Sequence, residues 1–193
     1  TKINKKDLSS INKKFNLENF ISFKGIKQGI ENTNYLIKSK NKKFILTIFE
    51  KRVEKKEIPF FMKLMDQLSS LNINCPKPLK THRGHYLIKI KNKMACVVTF
   101  LTGKDKKILN SKNCFDVGKI VARMHLSSKK IKIYRKNSMG IKNLGSLLKN
   151  IKFKSKKSSN LENFLRVNLR EIKNKWPKKL PHGIIHGDLF IDN

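Results

Sequence analysis

The chain has 193 residues, with 45 Lys+Arg against 13 Asp+Glu, a formal net charge of +32 and 38% hydrophobic residues. That length suits one domain, or one small and one partial domain, and the apolar content is too high for a disordered tail. No apolar run nears the roughly 20 residues that span a bilayer and no N-terminal apolar stretch carries a small-residue cleavage site, so the reading is cytoplasmic, with no membrane partner.

The charge alone suggests a nucleic-acid binder, but its make-up argues otherwise. Lys accounts for 39 of the basic residues and Arg for only 6, while Asn occurs 20 times, Ile 22 times and Ala twice. This is the signature of an A/T-biased genome that fills exposed positions with Lys and Asn. Nucleic-acid readers lean on Arg for bidentate contacts, so no specific nucleic-acid partner is expected. Cys75, Cys96 and Cys114 lack CxxC spacing and read as buried, reduced thiols.

In chain order, residues 7–15 read as a short helix with Leu8, Ile11 and Phe15 on one face. Residues 20–23, 34–37 and 43–49 are β-branched or aromatic runs. Gly25 and Gly29 punctuate the first gap, and Ser39-Lys40-Asn41-Lys42 makes a polar turn, giving three antiparallel strands. A helix follows over residues 57–71, with Pro59 in its first turn and Phe61, Leu64, Met65, Leu68 and Leu71 at core spacing. Cys75-Pro76-Lys77-Pro78 is extended chain. Residues 85–90 and 95–101 are two more strands, with Arg83-Gly84 turning before the first. Thr102-Gly103 breaks the pattern.

Beyond it the chain turns helical. Ser111 is the expected N-cap of a helix to His125, with Val117, Ile120, Val121 and Met124 inward, and Asn160 caps another helix to about Lys175. Residues 127–159 are Lys- and Ser-rich loops with short helical pieces. Trp176 reads as a packing anchor, and residues 181–188 as a short apolar strand entering a loop. The class is α+β: a β-rich lobe over residues 1–101, then a partial helical lobe over residues 102–193. This is the two-lobe order of protein-kinase-like folds.

The sharpest chemical signal is His186-Gly187-Asp188-Leu189-Phe190-Ile191-Asp192-Asn193. Kinase catalytic loops read H-R-D-x-x-x-x-N, and here the Asp and Asn keep that spacing. One carboxylate accepts the proton of the acceptor hydroxyl, and one amide oxygen a turn later reaches Mg²⁺ on the ATP phosphates. With HGD in place of HRD, the chain resembles the aminoglycoside phosphotransferase-like kinases. Ser22-Phe23-Lys24-Gly25-Ile26, Gly29-Ile30-Glu31-Asn32-Thr33-Asn34-Tyr35, residues 44–53, Pro59-Phe60-Phe61-Met62-Lys63-Leu64-Met65 and Val97-Val98-Thr99-Phe100-Leu101-Thr102-Gly103 resemble the bacterial homoserine kinase branch of that superfamily.

The resemblance implies ATP- and Mg²⁺-dependent phosphorylation of L-homoserine to O-phospho-L-homoserine, in threonine biosynthesis. It makes Asp188 the catalytic base and Asn193 a metal ligand. It makes Gly29, Asn32, Thr33 and Asn34 the phosphate-covering hairpin, and Thr99, Phe100 and Leu101 the hinge that meets adenine. Two departures stand out. The third strand carries Thr47 where kinases place a Lys, and its Glu partner falls near Phe61. Lys51, Arg52 and Glu57 are the nearby candidates to substitute. The second metal carboxylate of such kinases lies beyond Asn193, so the chain is expected to be a fragment without turnover of its own. A choline or aminoglycoside acceptor, a basic nucleic-acid-binding module and a non-catalytic remnant are the alternatives.

Overall fold

The computed structural model describes residues 1–17, 20–27, 31–50, 54–104, 106–137, 140–153 and 156–191. It contains five strands and five helices, and the α+β class holds. Helix α1 (Lys5–Phe15) opens on a capping box: Asn4 Oδ1 accepts from the Asp7 N–H, and Asp7 Oδ2 accepts from the Asn4 N–H, each at 2.9 Å. Leu8, Ile11 and Phe15 are buried, as their spacing predicts.

Strands β1 (Phe20–Ile26), β2 (Asn32–Ser39) and β3 (Lys43–Phe49) form the expected meander. Gly25 lies within β1 opposite Tyr35 rather than in the gap, which is shorter than the sequence suggests. Ser39 closes the β2–β3 turn: its N–H and hydroxyl both donate to the Lys42 carbonyl. Helix α2 (Ile58–Ser70) follows, with Pro59 in its first turn. Its most buried residues are Ile58, Met62 and Leu68; of the predicted stripe Leu68 is buried, and Phe61 and Met65 pack partly buried against the same side.

Strands β4 (Leu87–Ile90) and β5 (Lys93–Thr99) complete a five-stranded antiparallel sheet in the order β1-β2-β3-β5-β4. The isolated bridge Pro78↔Val98 ties the extended segment before β4 to β5. The sheet is covered on both faces, which explains the unbroken apolar run of β5. On one face Tyr35, Ile37, Phe44, Leu46, Ile48, Ala95 and Val97 pack with α1; on the other, Cys96 and Val98 pack with Ile58 and Met62 of α2.

The helical part departs from expectation in several places. Helix α3 (Ser111–Ser128) is capped by Asn110, whose Oδ1 accepts from the Asn113 N–H at 2.9 Å; Ser111 is its first helical residue. Of the stripe expected to face inward, Val121 and Met124 are half-buried, whereas Val117 and Ile120 are exposed. Helix α4 (Ile141–Lys149) lies within the segment expected to hold short helical pieces, and α5 (Lys156–Lys175) begins four residues before Asn160, which is therefore interior and not a cap. Trp176, expected as a packing anchor, is 47% exposed. Of the thiols, Cys96 is buried, Cys75 half-buried and Cys114 exposed, so the expectation of three buried thiols holds only for Cys96.

The chain forms two compact units, Thr1–Ile133 with Gly183–Asn193, and Tyr134–His182. The first holds the sheet and α1 to α3. The second holds α4 and α5, where Gly145 comes close to Leu169 and Lys173. No helix among the described residues is long and apolar enough to cross a membrane.

Candidate active site

The strand register lays one row of side chains across the sheet. Ile26 pairs with Asn34, Asn34 with Thr47, Thr47 with Cys96 and Cys96 with Leu87. Phe44, Leu46 and Ile48 face α1, whereas Ile45 and Phe49 join the α2-side cluster. Alternation therefore puts Thr47 on the α2 side. Its hydroxyl donates to Asn34 Oδ1 at 2.9 Å. Burial pushes the neighbouring Cys96 thiol up to about 12, so it is neutral at any physiological pH. Where kinases place a Lys, this row holds an amide, a hydroxyl and a thiol. Phe61, near which the sequence expectation puts the Glu partner, packs against the same apolar cluster. A lone ammonium there would be unpaired and partly desolvated, which is costly, so the two absences fit together.

Thr33 points the other way. Its hydroxyl donates to Glu50 Oε1 at 2.5 Å and accepts from the Thr1 amino group at 2.7 Å. Lys93 pairs with the other oxygen of Glu50. The Lys93 ammonium, then the Thr1 amino group and the Thr33 hydroxyl, hold the Glu50 carboxyl well below the usual carboxylate range. Of the predicted phosphate-hairpin residues, the structure thus separates Thr33, whose side chain braces the sheet end, from Asn34, which sits in the neutral row. Asn32 pairs with Phe49 at the start of β2. Gly29 lies outside the described residues, as do Lys51 and Arg52.

At the hinge, the Thr99 N–H donates to the Lys77 carbonyl at 2.9 Å, and the Lys77 N–H to Thr99 Oγ1 at 2.9 Å. The Phe100 N–H donates to the Lys43 carbonyl at 3.1 Å, and the Lys43 ammonium lies 5.6 Å from the Phe100 ring centroid. Sheet contacts therefore occupy two of the three hinge N–H groups. The Leu101 N–H has no hydrogen-bond partner among the described residues.

The segment that ends in Asp188 forms no strand. Residues 181–190 have no regular secondary structure, because the apolar pair Ile184-Ile185 finds no strand to pair with among the described residues. Gly187 has φ +80, a left-handed conformation that suits glycine and turns the chain just before Asp188. The Asp188 side chain is exposed. Asn193, its predicted metal-binding companion, lies outside the described residues. Among the described residues no group of three His, Cys, Asp or Glu could hold a metal ion. His82 and His85, beside the Arg83-Gly84 turn, are exposed.

The Glu50–Lys93 pair was not foreseen. Its members are 43 residues apart, and no local motif announces them; only the strand register brings them together.

Comparison with known proteins agrees with this architecture. The model of the phosphotransferase enzyme family matches residues 22–193. A homoserine kinase from Beijerinckia indica subsp. indica is 34% identical over 194 residues, covering 100% of this chain and 60% of that protein. One from Allorhizobium ampelinum is 35% identical with the same coverage, and one from Parvibaculum lavamentivorans is 31% identical over 198 residues. The chain thus spans about 60% of the length of the curated relatives it matches. The solved structure of spectinomycin phosphotransferase in complex with ADP and spectinomycin superposes with a TM-score of 0.64 at 14% identity, over 100% of this chain and 65% of that one. This is a likeness of fold. With the family model matching nearly the whole chain, the protein belongs to the phosphotransferase enzyme family.

Proposed function

We propose that the whole protein is an ATP-dependent homoserine kinase, transferring the γ-phosphoryl group of MgATP to the hydroxyl of L-homoserine. The observation that carries this reading is the identity of 31–35% to proteins named homoserine kinase, sustained along 97–100% of the chain. In this reading residues 1–101 bind the nucleotide and residues 102–193 belong to the helical lobe. Leu101 N–H meets the adenine edge, and the amides at the β1–β2 turn cover the phosphates. Mg²⁺ enters bound to ATP as part of the substrate, with Asn193 as the candidate ligand from this chain.

The chemistry follows from Asp188. Its carboxylate accepts the proton of the homoserine hydroxyl as that oxygen bonds to the γ-phosphorus, and the bond to the ADP oxygen breaks. ADP leaves and no covalent enzyme intermediate forms. Gly187, at φ +80, immediately precedes Asp188, and the exposure of Asp188 suits a group that must reach a bound substrate.

The test is ADP release by the full-length protein with a panel of acceptors. L-homoserine should support turnover well above choline or an aminoglycoside. Turnover with choline or an aminoglycoside and none with homoserine would move the protein elsewhere in its family.

A further inference from the structure

The neutral row across the sheet has a consequence for how phosphate is held. We propose that Asn34 is a phosphate-binding residue and that Thr47 is its positioning residue, the two together taking the place of the strand lysine of other kinases. This rests on the nucleotide-binding reading above.

Three observations support it. Asn34 and Thr47 are paired in register, and the Thr47 hydroxyl donates to Asn34 Oδ1 at 2.9 Å. With its oxygen taken, what the Asn34 amide can offer a ligand is its N–H₂ group, a donor suited to phosphate oxygens. Both side chains are half-buried beside the segment that leads into the β1–β2 turn, so the amide is oriented before any ligand arrives. Finally, the row contains no charge. Cys96, next to Thr47, is a buried neutral thiol, and Phe61 packs on the same side. An amide can work in such a setting, whereas an ammonium would lack the carboxylate partner that fixes a strand lysine.

The chemical consequence is a donor that never titrates and needs no counter-ion. Asn34→Ala should remove a charge-assisted hydrogen bond and weaken ATP and ADP binding about tenfold or more. Adenosine, which lacks phosphates, should bind as before. Thr47→Val keeps the shape and loses the hydroxyl; it should reproduce part of that loss, and Thr47→Ser should restore it.

The experiment is equilibrium binding of ATP, ADP and adenosine to the full-length protein and these variants by calorimetry, with Tm recorded for each. The proposal predicts weaker ATP and ADP binding at unchanged adenosine binding and nearly unchanged Tm. Equal ATP affinity in wild type and Asn34→Ala would overturn it while leaving the kinase reading intact. Equal losses for adenosine and ATP would overturn it as well, by assigning the pair to the fold alone. Failure of the wild type to bind any of the three would sink the kinase reading itself. A second pair of variants checks the replacement argument. Thr47→Lys alone should lower Tm, and Thr47→Lys with Phe61→Glu should recover part of that loss; no recovery would show that the two positions are not coupled as proposed.

Discussion

Asp188 owes its proposed role to its neighbours in sequence. Gly187 adopts φ +80, and the kinase spacing to Asn193 is local, so this part of the proposed site rests on the sequence alone. Asp188→Asn keeps the shape and removes the proton acceptor. Its kcat should fall about a hundredfold or more while ATP binding stays within about twofold of wild type; turnover near the wild-type rate would remove Asp188 from the role of base. Glu50 is the opposite case, since only strand pairing brings it to Lys93 and Thr33. Its carboxyl is held well below the usual range. A depressed folded pKa contributes stability above the unfolded value of about 4.3, and that contribution fades as pH falls through the folded value. Lys93→Met removes the largest cause of the depression. It should cost about 1–2 kcal/mol at pH 7, with the gap to wild type narrowing as denaturation is followed from pH 5 towards pH 2. A gap that is constant with pH would mean that Lys93 acts through packing.

At the scale of elements, periodicity identified α1 and its buried stripe because i, i+3 and i+4 spacing and burial agree there. Ile11 is 1% exposed between α1 and the sheet. Ile11→Ala should cost about 2–5 kcal/mol in urea unfolding; a cost under about 1 kcal/mol would mean that α1 is not integral to the core. The same reasoning located α3 but only part of its inward face. Its spacing told which residues share a face, and correctly so, but it could not tell what lies against that face, and Val117 and Ile120 are exposed. The caps went astray for a related reason. Asn110 and Ser111 are both good N-caps, and side-chain geometry decided for Asn110. The strand expected to precede Asp188 failed because a strand is a pairing and not a property of one segment, and residues 181–190 have no partner among the described residues.

For the whole molecule, the net charge of +32 is the feature least connected to the proposed chemistry. The row at the centre of the proposed phosphate site is neutral, and the family match spans residues 22–193. The β1-β2-β3 meander was within reach of the sequence because its turns are local, whereas the β3–β5 pairing that completes the order β1-β2-β3-β5-β4 links strands about 50 residues apart and has no local signal. The division into compact units was not within reach either, since the return of residues 183–193 to the first unit depends on contacts far apart in sequence. The account's central claim is the identity of the phosphorylated product. The most direct measurement is ³¹P NMR of the full-length protein with MgATP and L-homoserine. The account predicts ADP and O-phospho-L-homoserine appearing in equal amounts. ADP accompanied only by inorganic phosphate, or no change in ATP while another alcohol is phosphorylated in a parallel sample, would contradict it.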